Sequence, residues 1–179
     1  MKSKQKEKIK RKGYKNIKSH DKDDSFFFKE EKAIFCEKNK KIGFNGLSPK
    51  EWALLSKNVW NDLSSPRNQY QLEHGAVFPI KLSDRLIKMY SKEGDSIFDP
   101  FAGIGTTIVS AQNLKRHALG IELNSRFVSI GKKWIDENKN VFNQNIVSEI
   151  KNDDCRNMLN YVRENKIQLT VTSPPYADF

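Results

Sequence analysis

Two short strings of residues, about seventy positions apart, have side chains suited to ligand binding and chemistry. The first, Asp99-Pro100-Phe101-Ala102-Gly103-Ile104-Gly105-Thr106-Thr107, is a glycine-rich turn between an apolar strand and a helix. Its glycines let a ligand approach the backbone, and the N-terminus of the following helix favours a carboxylate. The second, Thr172-Ser173-Pro174-Pro175-Tyr176, places a hydroxyl, a proline carbonyl and an aromatic ring after another strand. The strings predict a site for a nucleotide-like cofactor beside a polar and aromatic site for a second molecule.

Glu122 is a candidate ligand for the ribose of such a cofactor. It follows the next predicted strand, 23 positions after Asp99, where an acid can accept hydrogen bonds from both ribose hydroxyls. The residue three positions after Gly105 is Ile108, so the third glycine of the dinucleotide fingerprint G-x-G-x-x-G is missing. This favours a cofactor smaller than a dinucleotide. The alternatives are a tight turn without a ligand and a surface acid at a strand end.

Strands and helices alternate from about residue 74 onward, and these elements must position the two strings. We predict strands over residues 96–98, 117–121, 146–151 and 168–172. We predict helices over residues 82–90, 106–113, 125–138 and 154–164. Such an alternation with short connections predicts an α/β fold, in which a partial parallel sheet of about four strands is covered by helices.

The N-terminal part of the chain differs in composition. Nine of the first twenty residues are Lys or Arg and only Glu7 is acidic, so residues 1–24 are predicted to form a basic, disordered arm. Such an arm attracts phosphates non-specifically, and a solvated tail without a partner is the equal alternative. Residues 25–73 form an aromatic-rich extension. Within it, Ser48-Pro49-Lys50-Glu51 is typical of a capping box, which predicts a helix that buries Trp52 and Leu55.

Composition excludes several classes of protein. The chain has 179 residues, a net charge of +10 and two cysteines, Cys36 and Cys155. The cysteines form no CxxC or Cys/His cluster, and the three histidines are scattered, which argues against a disulfide framework and against a metal site. No apolar run reaches the roughly 18 residues of a membrane span, and no apolar stretch follows the basic N-terminus as in a secretory signal. We therefore expect a cytoplasmic protein of about one domain.

The two strings resemble motifs of the S-adenosylmethionine-dependent DNA amino-methyltransferases. Residues 99–107 are similar to that family's D-P-F-x-G-x-G-T motif, and residues 172–176 to its catalytic [DNS]-P-P-[YFW] motif, in the S-P-P-Y form. Three further segments are similar in consistent order: the cofactor-binding segment that begins at His74, the ribose segment at residues 120–124, and the adenine segment at residues 153–156, where Asp153 replaces a usual glycine. The resemblance covers residues 46–179. It implies a Rossmann-like methyltransferase fold, with residues 74–179 as its cofactor-binding part.

The resemblance also implies roles for single residues. S-adenosylmethionine would be the cofactor, with its methionine half near Phe78, Asp99 and Phe101, its ribose on Glu122 and its adenine amino group on Asp154. Gly103, Gly105 and Thr106 would form the loop around it. The implied partner is double-stranded DNA, whose target base is flipped out of the stack. The implied catalytic segment is Ser173, Pro174, Pro175 and Tyr176. Tyr176 would stack on the base. The Ser173 hydroxyl and the Pro174 carbonyl would accept hydrogen bonds from the two N–H groups of its amino group.

The S-P-P-Y form favours, by resemblance, methyl transfer to N4 of cytosine in a restriction–modification system. An adenine-N6 methyltransferase is the close alternative, and an RNA guanine-N2 methyltransferase shares the glycine loop but usually has Asp at the Ser173 position. A different class is a non-catalytic cofactor-binding fragment or subunit of a split enzyme. The chain provides fewer strands than the family's sheets have, and Tyr176 is three residues from its end. We therefore expect a domain cut short after this motif, for which a second polypeptide could supply the missing strands and the recognition region.

Overall fold

The computed structural model describes residues 42–75 and 79–175. The predictions for the basic arm at residues 1–24, for the first part of the aromatic-rich extension, and for Phe78 and Tyr176 lie outside the described residues. The described part contains the predicted sheet, the glycine-rich turn and most of the second string.

Four parallel strands form one sheet in this part of the chain. They are β1 (Ser96–Asp99), β2 (His117–Glu122), β3 (Ser148–Asn152) and β4 (Leu169–Thr170). Their order across the sheet is β3-β2-β1-β4, which confirms the predicted α/β fold with a partial parallel sheet of about four strands. β4 is shorter than predicted, but two amides extend its pairing to β1. Gln168 N donates to Ser96 O and Val171 N donates to Phe98 O, each at 3.0 Å.

Five α-helices and one 3₁₀ helix accompany the strands in residues 42–75 and 79–175. They are α1 (Pro49–Leu55), α2 (Gln69–His74), α3 (Ile80–Tyr90), α4 (Thr106–Asn113), α5 (Ser125–Glu137) and the 3₁₀ helix Cys155–Asn160. The predicted capping box of α1 is present, because Ser48 and Glu51 each accept a bond from the other's backbone amide. α2 was not predicted, although Asn68 and Gln71 form the same kind of box at its start. No helix of this part is long and apolar enough to cross a membrane.

The core lies on both faces of the sheet, as expected for parallel strands between two layers. On one face, Ile97 of β1 belongs to a buried cluster with Ile108 of α4 and Trp134 of α5. On the other face, Phe98 and Leu119 pack against the segment that follows β3. The central strands are therefore held rigidly, and their carboxyl ends are fixed in position.

The segment after β3 departs from the sequence prediction. We predicted an α-helix over residues 154–164, but the chain forms only the 3₁₀ helix Cys155–Asn160. Asp and Asn favour caps and turns over helix interiors because their side chains bond to nearby backbone groups. Asp154 does this here, since its side chain accepts from Arg156 N at the start of the 3₁₀ helix.

The burial predicted for α1 is also wrong. Trp52 remains 38% exposed, and α1 contains no buried residue. The helix has seven residues and rests on the end of α3, where the Trp52 ring meets Tyr90 edge-on with 6.4 Å between centroids. So short a helix at the end of another covers one side of Trp52 and leaves the other exposed.

Candidate functional site

The carboxyl ends of all four strands meet at one edge of the sheet. Asp99 ends β1 and Glu122 ends β2, while Asp153 follows β3 and Ser173 follows β4. β2 and β4 lie on opposite sides of β1, and such a switch point is where open α/β sheets bind ligands. A cavity of about 740 Å³ opens at this edge, within the range of about 300–1,000 Å³ for small-molecule sites.

Most of the predicted site residues line this cavity. They are Asp99, Phe101, Gly103, Thr106, Glu122, Asp154, Ser173, Pro174 and Pro175. The two strings, distant in sequence, therefore share one cavity. Gly105 does not line it, and Phe78 and Tyr176 lie outside the described residues. Within those residues, no group of three or more His, Cys, Asp or Glu side chains could hold a metal ion.

Glu122 is held by the backbone of two loops. Its Oε2 accepts from Gly103 N at 2.9 Å, and its Oε1 accepts from Asn124 N at 2.8 Å. A carboxylate has about four acceptor positions, so one position on each oxygen remains for a ligand. This arrangement suits two neighbouring hydroxyl groups. Gly103 has φ +54°, and a Cβ on it would lie 3.2 Å from His74 Nε2, so the turn has little room for a side chain.

Gly105 serves the packing of the turn. Its φ is +83°, and a Cβ there would lie 2.7 Å from Ile150 Cδ1 of β3. It precedes α4 as the N-cap residue. The missing side chain thus lets the start of α4 approach the sheet, which places Thr106 at the cavity.

Thr106 supplies a buried polar group without a protein partner. The residue is 4% exposed, and its hydroxyl has no hydrogen-bond partner among the described residues. It is the first residue of α4 and lines the cavity. Because a helix N-terminus attracts negative charge, this hydroxyl and the adjacent amides suit a ligand carboxylate.

Asp99 connects the two strings at the sheet edge. It is 2% exposed, and its Oδ1 accepts from Phe101 N at 3.1 Å. Burial raises the pKa of the Asp99 carboxyl, whereas the Thr107 side chain, the Thr172 side chain and the Phe101 amide act in the opposite direction. The acid therefore bonds to the glycine-rich turn and to the first residue of the second string.

His74 and Phe127 form an aromatic part of the cavity wall. Their ring centroids are 4.2 Å apart. Burial lowers the pKa of the His74 imidazole, and the Glu122 carboxylate opposes this effect. The pair depends on the docking of α2 onto α5, where the Tyr70 and Trp134 rings stack with 5.7 Å between centroids. Sequence reasoning did not assign Phe127 to the site, because its helical spacing is equally typical of a core residue.

Two adjacent acids, Asp153 and Asp154, close the end of the cavity beside the 3₁₀ helix. The Arg156 guanidinium binds both oxygens of Asp154 and holds the pKa of that carboxyl at about 2. Asp153 accepts a 2.7 Å bond from Tyr161 Oη, which is the main cause of its lowered pKa. Both carboxylates are therefore ionised at neutral pH.

Individual proteins match this chain over part of its length. It is 36% identical to the type II methyltransferase M.BglI of Bacillus subtilis over 96 residues, which cover 53% of this chain and 27% of that protein. It is 39% identical to the type II methyltransferase M.SmaI of Serratia marcescens over 79 residues, covering 44% of this chain and 26% of that protein. TTHA0409 from Thermus thermophilus, solved with S-adenosyl-L-methionine, is 28% identical with a TM-score of 0.47, covering 66% of this chain and 44% of that chain. The matched segments span about a quarter of the length of the two methyltransferases.

A family comparison covers more of the chain. The N6_N4_Mtase family model, described as DNA methylase, matches residues 1–133 of the 179. The matched range includes the glycine-rich turn and Glu122, and it ends before Ser173. Since the match extends over more than half of the residues, the chain belongs to the N6/N4 DNA methylase family.

Proposed function

We propose that the cavity binds S-adenosylmethionine and presents to it the exocyclic N4 amino group of a cytosine in DNA. The observation that carries this proposal is the shared cavity, which the Gly103–Glu122 pair and the Ser173-Pro174-Pro175 segment both line. A cofactor site and a group that can hold an amine are thereby placed next to each other. Membership of the DNA methylase family supports DNA as the acceptor.

The polar groups of the cavity fit those of S-adenosylmethionine. The two free acceptor positions on Glu122 match the two ribose hydroxyls, since its other positions are occupied by Gly103 N and Asn124 N. The unpartnered Thr106 hydroxyl at the N-terminus of α4 matches the methionine carboxylate. Bound S-adenosylmethionine would supply an activated methyl group.

The protein has to make a poor nucleophile react. The lone pair of an exocyclic amine is conjugated with the ring of the base, so the nitrogen is planar and weakly nucleophilic. The Ser173 hydroxyl oxygen and the Pro174 carbonyl oxygen would accept hydrogen bonds from the two N–H groups of the amine, which favours a pyramidal nitrogen. The bond from Val171 N to Phe98 O, two residues before Ser173, fixes the backbone that carries these acceptors. The base must leave the duplex to reach them, at a cost of a few kcal/mol.

Ser173 supports cytosine as the target, because the S-P-P-Y form resembles the motif of cytosine-N4 enzymes. The printed names of M.BglI and M.SmaI, both type II methyltransferases, support a role in a restriction–modification system. The matched family includes N6 and N4 enzymes, and the same two acceptors could hold the N6 amino group of adenine. Adenine-N6 methylation is therefore the second candidate.

Nucleoside mass spectrometry of DNA that has been exposed to the complete enzyme, of which this chain forms a part, tests the proposal. We expect N4-methylcytosine with the wild type. Ser173→Ala should cause a loss on the order of a hundredfold, the scale for removing one group that stabilises a transition state. Thr170→Ala is the matched control, since it removes an exposed hydroxyl from β4 outside the cavity. N6-methyladenine alone would contradict the cytosine assignment. No methylated base, with S-adenosylmethionine still bound by the complete enzyme, would contradict methyl transfer at this cavity.

A further inference from the structure

Cys155 places a thiol in the wall of the cavity. It is the first residue of the 3₁₀ helix and lines the cavity beside Asp154. Its side chain forms no disulfide and is half-buried. After the bonds from Arg156, a bond from the Cys155 side chain also lowers the pKa of the Asp154 carboxyl. The proposed methyl transfer gives this thiol no role.

The core behind Cys155 limits the direction in which an added group can extend. Cys155 packs against the buried cluster of Phe98, Leu119 and Ile121. Leu119 and Ile121 are fully buried, and Phe98 is 5% exposed. Because protein interiors are close-packed, such a cluster has no space for an additional group. A group attached to the Cys155 sulfur would therefore extend into the cavity.

Thr106 shows independently that this cavity suits a ligand. It lines the same cavity and is 4% exposed, and its hydroxyl has no hydrogen-bond partner among the described residues. Buried polar groups are normally hydrogen-bonded, so a ligand in the cavity would supply the partner that this hydroxyl lacks. A group attached to Cys155 would occupy part of the same volume of about 740 Å³ and would compete with that ligand.

We propose that Cys155 is a modification site, at which an α,β-unsaturated carbonyl compound adds to the thiol and blocks the binding of S-adenosylmethionine. The inference rests on the proposed function, because it takes the cavity to be the cofactor site. The thiolate is the nucleophile. Its sulfur forms a bond to the β-carbon, the carbon–carbon π bond breaks, and the α-carbon takes up a proton that balances the one lost by the thiol. In turn, an occupied cavity would protect the thiol.

The test uses N-ethylmaleimide on the complete enzyme of which this chain forms a part. Mass spectrometry of the peptide that contains Cys155 measures its rate of labelling with and without S-adenosylhomocysteine. With the ligand at about ten times its Kd, labelling should be about tenfold slower, because mass action leaves about one site in ten open. Enzyme labelled at Cys155 should bind S-adenosylhomocysteine at least about tenfold more weakly in calorimetry than unlabelled enzyme.

Two variants assign the effect to one thiol. In Cys155→Ala, treatment with N-ethylmaleimide should leave the affinity for S-adenosylhomocysteine as it was before treatment. Cys36→Ala is the matched control, since it removes the other cysteine of the chain. Its affinity should fall on treatment as that of the wild type does.

The possible failures of this inference and of the proposed function are distinct. Equal labelling rates with and without bound ligand, or an unchanged affinity after labelling at Cys155, would overturn the inference alone. Loss of the effect in Cys36→Ala, with the effect kept in Cys155→Ala, would also overturn it. If the unlabelled enzyme does not bind S-adenosylhomocysteine, the proposed function fails, and this inference fails with it.

Discussion

Glu122→Ala is expected to weaken the binding of S-adenosylhomocysteine at least tenfold. Glu122 uses one acceptor position on each oxygen for Gly103 N and Asn124 N, which leaves two for the ribose hydroxyls. A hydrogen bond to a charged group contributes about 1.5–3 kcal/mol, so both ribose bonds together would contribute about 3–6 kcal/mol. In Glu122→Ala, water in the open cavity would form some of these hydrogen bonds instead, so the measured loss of binding free energy would be smaller than this sum. A tenfold change corresponds to about 1.4 kcal/mol, which is less than half of the smallest of these sums and is therefore the minimum loss expected.

A ligand without the ribose 2′-hydroxyl tests the reason for that loss. The wild type should bind the 2′-deoxy form of S-adenosylhomocysteine more weakly than the parent ligand, whereas Glu122→Ala should bind the two forms with similar affinity. Such non-additivity in a double-mutant cycle measures the contact directly. Glu149→Ala, which removes a half-buried acid that pairs with Lys151, is the control for a lost negative charge. Unchanged affinity in Glu122→Ala, or losses that simply add, would refute the assignment of Glu122 to the ribose.

Two further predictions concern stability. Gly105→Ala should lower the free energy of unfolding about 1–3 kcal/mol more than Gly94→Ala, measured by urea denaturation. Both glycines have positive φ, +83° and +86°. Of the two, only Gly105 would bring its Cβ within 4 Å of an atom outside its own turn, at 2.7 Å from Ile150 Cδ1. Equal losses of unfolding free energy in the two variants would contradict this contact. Asp99 has a pKa raised by burial, so above about pH 4 the native state binds more protons than the unfolded state. The unfolding free energy should therefore fall as pH rises through that window, and Asp99→Asn should remove this fall; identical pH profiles would disprove it.

Local patterns were sufficient to predict the elements that follow simple rules. The bounds of α4 agree with the prediction, because Gly105 sets its start and the apolar run sets its length. The capping box at Ser48 was also predicted and found. The 3₁₀ helix at Cys155–Asn160 was not predicted, because the spacing of apolar residues there is also compatible with an α-helix.

The sequence was sufficient to predict which residues form the site, but not which side chains they contact. Parallel strands bring their carboxyl ends to one edge, so Asp99, Glu122 and Ser173 could be expected together. The aromatic wall of His74 and Phe127 depends on how α2 docks on α5, which no local pattern contains. The engagement of Asp154 by Arg156, two positions later, likewise required the conformation of the turn. Sequence motifs thus identified the candidate site residues, whereas the tertiary structure was needed to show how they contact one another.

Asp99 links the proposed cofactor site to the proposed amine site. A buried carboxylate is costly unless it is hydrogen-bonded. The groups that oppose the effect of burial on Asp99 are Thr107 and Phe101 of the glycine-rich turn and Thr172 of the second string. Residues of both strings therefore help to hold this buried acid. Since Ser173 directly follows Thr172 and Gly103 lies two residues after Phe101, Asp99 lies between the two proposed sites. An apolar residue at the end of β1 could fill the same volume, but it would fix neither segment.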